Sequence, residues 1–297
     1  MRTVSYSPTK ADLFTPWKRA DYFGGGEAQH TTSLCAELSR LAYCRKKPTF
    51  PFDQDMIQST LAGIGFSQCK FFESEDAASK GGTHCFTAIG TDPDSGKQIG
   101  VVVFRGTDAD DPTDIGDDAD LLLKPWDAGG SVHTGFANAL AAIRPALDHS
   151  VKSLGVPILF TGHSLGAALA TLAASLYKPT ADVLALYTIG SPRVGNLAFV
   201  ATLYGIEVYR YRDCSDVVTR VPLPEMGYAH VGLARYIDRN GLINLNPSET
   251  VIAKDRVAAE GDYLLKYAWK TGNVGVRDLA DHAPINYVWA VTASGHS

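Results

Sequence analysis

Cysteine is scarce in this sequence. The five present, Cys35, Cys44, Cys69, Cys85 and Cys214, form an odd set without a C-x-x-C pair. Such a set supplies neither a zinc site nor a disulfide framework, so reduced thiols are expected. Long apolar runs are missing as well. No stretch approaches the ~18 residues of a membrane-spanning helix, and residues 1–26 contain no continuous apolar segment of the Sec signal-peptide kind. Cytoplasmic location is the default expectation, with export by a route that needs no such signal as the alternative. Positive charge is thin: the longest basic run is Arg45-Lys46-Lys47 and the formal net charge is −5, which argues against a nucleic-acid-binding surface. Repeats, low-complexity tracts and linkers are absent too.

What remains is the composition of a globular protein, 45% hydrophobic and 20% charged over 297 residues, enough to bury a large core. At about 150 residues per domain the length alone suggests two domains. The pattern of elements suggests otherwise. A helix is predicted over 31–45, where Leu34, Leu38, Leu41 and Ala42 share one face. Strands are predicted at 85–89 and 99–105, joined by the turn residues Asp92-Pro93-Asp94-Ser95-Gly96. A helix over 135–154 ends at Gly155, with Pro145 as a kink point. A strand at 156–161, a helix at 165–177, a strand at 183–189, a helix near 196–203 and a strand at 206–212 follow. Further helices are predicted at 262–269 and 285–291. Strands alternating with helices predict an α/β fold with a mostly parallel sheet covered on both faces.

The strongest chemical signal is Gly162-His163-Ser164-Leu165-Gly166, a G-x-S-x-G pentapeptide between a predicted strand and a predicted helix. In that context the serine sits on a sharp strand-to-helix turn with its hydroxyl exposed, and the flanking glycines remove side chains that would clash. The competing reading is a serine N-cap. A serine nucleophile needs a base, and the base needs an orienting acid. Three histidines follow Ser164. His296 is next to last, and His230 lies in Tyr228–Val231, read as a strand start where a structural hydrogen bond explains it. His282, entering the last helix, is the favoured base. For the acid, Asp182, Asp213, Asp216 and Asp238 all qualify by position. Asp213 has Arg210 and Arg212 close by and reads as an ion-paired surface residue; Asp216, ahead of Val217-Val218, is modestly favoured. Thr107, at the end of Phe104-Arg105-Gly106-Thr107, and Leu165 are the candidate oxyanion donors.

Five segments, taken in order, resemble one family, the class 3 lipases of filamentous-fungal type. They are Val102–Thr107, Val132-His133-Thr134-Gly135-Phe136, Thr161–Ala167, Gly190-Ser191-Pro192-Arg193-Val194-Gly195-Asn196 and Asp281-His282. The resemblance runs from about Thr31 to Trp289. It implies an α/β-hydrolase fold, a Ser164–His282–Asp216 triad, oxyanion donors at Thr107 and Leu165, and hydrolysis of neutral lipid or another ester, with no cofactor and no metal. It makes His230, in Gly227-Tyr228-Ala229-His230, the family's non-catalytic histidine. Motifs spread from Phe104 to His282 that serve one site imply one domain over 1–297. A phospholipase A1 or a short-chain or feruloyl esterase on the same fold is the alternative, and an inactive lipid-binding homologue a third reading.

The chain departs from the family around 108–131, where a lid-like loop is expected. The Asp-Trp pattern common after Phe-Arg-Gly-Thr is missing. Instead 108–127 carries eight aspartates and one lysine, a charge of −7 that leaves the rest of the chain at +2. The run lacks the EF-hand spacing and reads as a solvated acidic loop that would repel anionic phospholipids at low salt. Leu121-Leu122-Leu123 and Trp126 are candidates for an apolar face over the pocket.

Overall fold

A computed structural model describes residues 3–46, 51–74, 82–107 and 122–294. In chain order the elements are α1 (Lys10–Phe14), α2 (Thr31–Leu41), α3 (Gln54–Gly63), β1 (Ser67–Glu73), β2 (His84–Thr91), β3 (Gln98–Phe104), β4 (Leu123–Pro125), β5 (Ser131–His133), α4 (Thr134–Ser153), β6 (Ile158–His163), α5 (Leu165–Tyr177), β7 (Val183–Ile189), α6 (Leu197–Thr202), β8 (Glu207–Asp213), β9 (Ala234–Ile237), β10 (Ile243–Leu245), α7 (Glu249–Lys266), α8 (Arg277–Ala280) and α9 (Pro284–Ser294).

Eight strands form one sheet in the order β1-β2-β3-β6-β7-β8-β9-β10. The run β3-β6-β7-β8-β9 is parallel, and antiparallel pairs close both edges. Helices cover both faces, which is why the central strands are continuous apolar runs. Alternation along each strand divides the core in two. Val101, Val103, Leu159, Tyr187 and Ile189 pack on the side of α2 and α9. Val102, Phe104, Phe160 and Leu186 pack on the side of α4 and α5.

Local chemistry fixes the ends. The β2–β3 turn is tied by Asp92, which accepts from Ser95 N and from the hydroxyls of Ser95 and Thr31. The neighbouring Asp94 accepts from Thr31 N at 3.0 Å, so the turn also caps the start of α2. Gly155, at φ 66°, ends the α4 segment in the left-handed region. The amide of Asn286 in α9 clamps the amino-terminal segment: its Oδ1 accepts from Ser7 N and its Nδ2 donates to Ser7 O.

Two expectations fail. The helix expected at 262–269 is the end of α7, which starts at Glu249; only Ile252, Ala259 and Tyr263 are buried along it, too few to show as periodicity. Tyr228–Val231 is not a strand start. Ala229 makes one bridge to Gly195, and β9 begins at Ala234.

Candidate active site

The turn from β6 to α5 is built by steric exclusion. Ser164 has φ 58° and ψ −128°, a conformation that costs a non-glycine residue of order 1–3 kcal/mol. A Cβ at Gly162 would stand 2.3 Å from the backbone of Gly166, and one at Gly166 would stand 2.3 Å from Phe104 O. The first turn of α5 therefore lies directly against the end of β3. The turn is held by Ser164 N–H donating to Ile189 O at 2.9 Å and Ala167 N–H donating to Ser164 O at 3.0 Å.

His282 lies in the short connection between α8 and α9, its N–H donating to Leu279 O. Its Nε2 is 2.9 Å from Ser164 Oγ, and its Nδ1 is 2.9 and 3.0 Å from the two oxygens of Asp216. All three residues are buried. Since an ionised carboxylate only accepts, Nδ1 carries the proton and the Nε2 lone pair faces the serine hydroxyl. Asp216 accepts two more bonds, from Val218 N at 2.9 Å and from Tyr287 O–H at 2.5 Å.

The carboxylate that sequence position left in competition, Asp213, is not a surface residue. It is fully buried, its Oδ1 accepts from Cys214 N, and its backbone N–H donates to Tyr287 Oη. Among the carboxylates considered, Asp216 is the one in hydrogen-bond contact with His282. His230 donates from Nε2 to Thr219 O, the structural bond expected of it. Burial pushes its ring well below the usual histidine range, helped by Arg210 and Arg193. His296 lies outside the described residues.

Sequence reasoning missed the supports around this relay. His163 donates from Nε2 to His282 O at 2.9 Å and accepts at Nδ1 from Tyr43 O–H at 2.7 Å. Burial, aided by the nearby His282, holds His163 well below its ordinary pKa, so it is neutral. Asp281 accepts from Ser215 N at 2.9 Å, Tyr6 O–H at 2.8 Å and Arg277 Nε at 3.0 Å. It thereby locks the segment carrying Asp216 to the segment carrying His282. Pattern recognition finds the Asp281-His282 pair but gives Asp281 no task; Tyr43, Tyr287 and Arg277 carry no motif.

Phe104 pairs with Gly162 in the parallel register, so β3 and β6 leave the sheet at the same level. Thr107 and Leu165 lie equally far beyond that pair, and both are half-buried. Gly106 is obligatory between them, because a Cβ there would meet Tyr43 Oη at 2.1 Å and His163 O at 2.7 Å.

Most of the acidic run, residues 108–121, lies outside the described residues. Beyond it, β4 and β5 pair in a small separate sheet. Trp126 does not cover the site. Its indole N–H donates to Ser175 Oγ at 2.9 Å, three turns down α5 from Ser164 and roughly 16 Å along the helix axis. All five cysteines are free. Among the described residues no helix is long and apolar enough to cross a membrane.

The profile of the family "Lipase (class 3)" matches residues 101–226. A secreted mono- and diacylglycerol lipase 1 of Fusarium solani is 40% identical over 119 residues, 37% of this chain and 35% of that protein. A secreted mono- and diacylglycerol lipase A of Penicillium cyclopium is 36% identical over 139 residues, 43% of this chain and 44% of that protein. The chain thus spans less than half the length of the curated relatives it matches. Lipase II from Rhizopus niveus superposes with a TM-score of 0.54 at 25% identity, covering 70% of this chain and 79% of that one. The sheet of this chain has the α/β-hydrolase arrangement, and its residues 101–226 are similar to the class 3 lipase family.

Proposed function

We propose that this protein hydrolyses carboxylic esters, acylglycerols foremost, within one domain and through an acyl-enzyme. The observation that carries the reading is the unbroken relay Ser164 Oγ–His282–Asp216 on a strained turn beside the end of β3. Ser164 Oγ attacks the ester carbonyl carbon and passes its proton to His282 Nε2. Asp216 stabilises the imidazolium that results. The N–H groups of Thr107 and Leu165 receive the carbonyl oxygen as it becomes an oxyanion, each such donor being worth about 3 kcal/mol. Collapse of the intermediate expels the alcohol, which takes the proton from His282. Water then repeats the sequence on the acyl-serine and releases the carboxylic acid. Every proton in the cycle moves between substrate, water, Ser164 and His282, so the reading calls for no cofactor.

The test has two parts. A fluorophosphonate probe labels the wild-type protein and not Ser164→Ala. A panel of p-nitrophenyl and glycerol esters from acetate to stearate, with and without an emulsion, and with phosphatidylglycerol added, defines the substrate class. Normal ester turnover by Ser164→Ala refutes the mechanism. Faster release from phosphatidylglycerol than from tributyrin overturns the acylglycerol assignment alone.

A further inference from the structure

Two buried arginines of this protein have a buried carboxylate as partner. Arg40 Nε is 2.7 Å from Glu37, and Arg277 Nε is 3.0 Å from Asp281. A second group of arginines breaks that pattern. Arg210 and Arg212 alternate with Tyr209 and Tyr211 on β8 and so share the sheet face that carries Val208, the side of α4 and α5. Their exposures are 9% and 8%. Arg193, in the β7–α6 connection, is near enough for its charge to act on Arg210 and for that of Arg212 to act on it. Among the described residues the one carboxylate within ion-pair distance of any of the three is Glu249, 3.4 Å from Arg212 Nη1 and itself 82% exposed.

The polar atoms left over are all able to donate. Arg210 Nη1 and Arg212 Nε are buried without a hydrogen-bond partner. So is Thr188 Oγ1, on the strand position paired with Arg210. Arg210 Nε reaches Gly232 O at 3.4 Å, and Arg193 Nη1 is engaged by the carbonyls of Arg220 and Pro222. Burial pushes the Arg210 guanidinium down to about 10, with Arg212 and Arg193 adding to the push. Arg193 is lowered likewise, by burial first and Arg212 second. Water satisfies orphan donors but leaves like charges uncompensated; an anion does both.

We propose that Arg193, Arg210, Arg212 and Thr188 form a binding site for a tetrahedral oxyanion of the phosphate class. Three guanidinium groups and a hydroxyl offer donors to more oxygens than a planar carboxylate presents. The site is separate from the Ser164 relay and does not depend on the ester-hydrolase reading.

Thermal unfolding in inorganic phosphate is compared with chloride at equal ionic strength, for the wild type, Ser164→Ala and Arg210→Met. The wild-type midpoint rises saturably with phosphate, by about 5 °C at a hundredfold excess over Kd. Ser164→Ala responds identically, which separates this site from the relay. Arg210→Met loses the response, yet in chloride its midpoint equals or exceeds that of the wild type, because a buried uncompensated charge has gone. Sedimentation with phosphatidate-containing phosphocholine vesicles distinguishes sources: Arg210-dependent pelleting assigns a lipid headgroup, and a thermal response without pelleting assigns the free ion. Equal wild-type midpoints in phosphate and chloride overturn the proposal, as does a phosphate response that survives in Arg210→Met.

Discussion

Exchanging Asp216 for asparagine separates the relay drawn above from its nearest competitor. The carboxylate accepts from His282 Nδ1 on both oxygens, from Val218 N on Oδ1 and from Tyr287 O–H on Oδ2. Asparagine keeps the shape but offers one accepting oxygen. With Val218 and Tyr287 both donating from either side, the amide nitrogen is left facing a donor whichever way it turns. An amide N–H directed at Nδ1 forces the imidazole proton onto Nε2. The lone pair facing Ser164 Oγ is then lost, and the base cannot take the hydroxyl proton. The expected fall in kcat is about 10^4, equivalent to about 5.4 kcal/mol of transition-state stabilisation. The stability cost is smaller, about 1–3 kcal/mol for a buried polar group left without its partner. Asp213→Asn is the comparison. Its amide oxygen still accepts from Cys214 N, so kcat stays within about tenfold of the wild type. Turnover of p-nitrophenyl butyrate, normalised to fluorophosphonate-titrated sites, is measured for both variants alongside their unfolding midpoints. More than a tenth of wild-type kcat in Asp216→Asn, or the large loss appearing in Asp213→Asn instead, refutes the reasoning.

Three other outcomes are expected. Tyr43→Phe leaves His163 Nδ1 buried without a donor, costing about 1–3 kcal/mol of stability, and lowers kcat severalfold through the His163–His282 carbonyl bond; unchanged kcat and midpoint would deny His163 that role. Gly166→Ala drives a Cβ into Phe104 O, which as backbone cannot swing aside; soluble protein with wild-type turnover contradicts the close approach of α5 and β3. His84, which accepts from Arg105 Nη2 at 2.7 Å, is pushed down to about 3 by burial and then by Arg105. Because its unfolded-state pKa is higher, near 6.5, the native state binds fewer protons. The stability it contributes is fully present above pH 6.5 and is lost as pH falls from there toward 3. That loss reaches about 2 kcal/mol by pH 5, and urea midpoints for His84→Gln should show a shallower decline over the same window.

The parts of the fold that were legible in the sequence are those where one local rule decided the outcome. Leu165–Tyr177 and Val183–Ile189 appear with the expected bounds, because apolar segments buried on both faces and bounded by turns leave little freedom. The β6 strand runs two residues further than expected, into the G-x-S-x-G motif itself; the glycines that read as a boundary serve close packing instead. The edge strands β1 and β10 were not anticipated, since both are largely exposed and neither holds an apolar alternation. In the candidate site, the sequence names Ser164, His282 and Asp216, yet local signal puts Asp216 only modestly ahead of Asp213. Asp213 is the last residue of β8, Asp216 follows three residues on, and both are buried. What separates them is where each side chain is led by Tyr287 and by the Asp281–Ser215 lock, contacts made some seventy residues away in sequence. Tyr43 carries no signal, and Asp281 is named without a task, for the same reason: their tasks exist only once distant segments meet.

The Asn286 clamp has a mechanical meaning. Ser7 is gripped one helical turn past His282, at a point where the amide also donates to Ala280 O just before it. Once the bonds of Thr3 and Val4 to Asn240 O in the β9–β10 turn give way, tension applied at the amino end therefore reaches the two residues that bracket His282. In an optical trap, the yielding event that follows should uncouple Ser164 from His282 while β3, β6 and β7 remain paired, so that the molecule loses its relay under loads its core still bears.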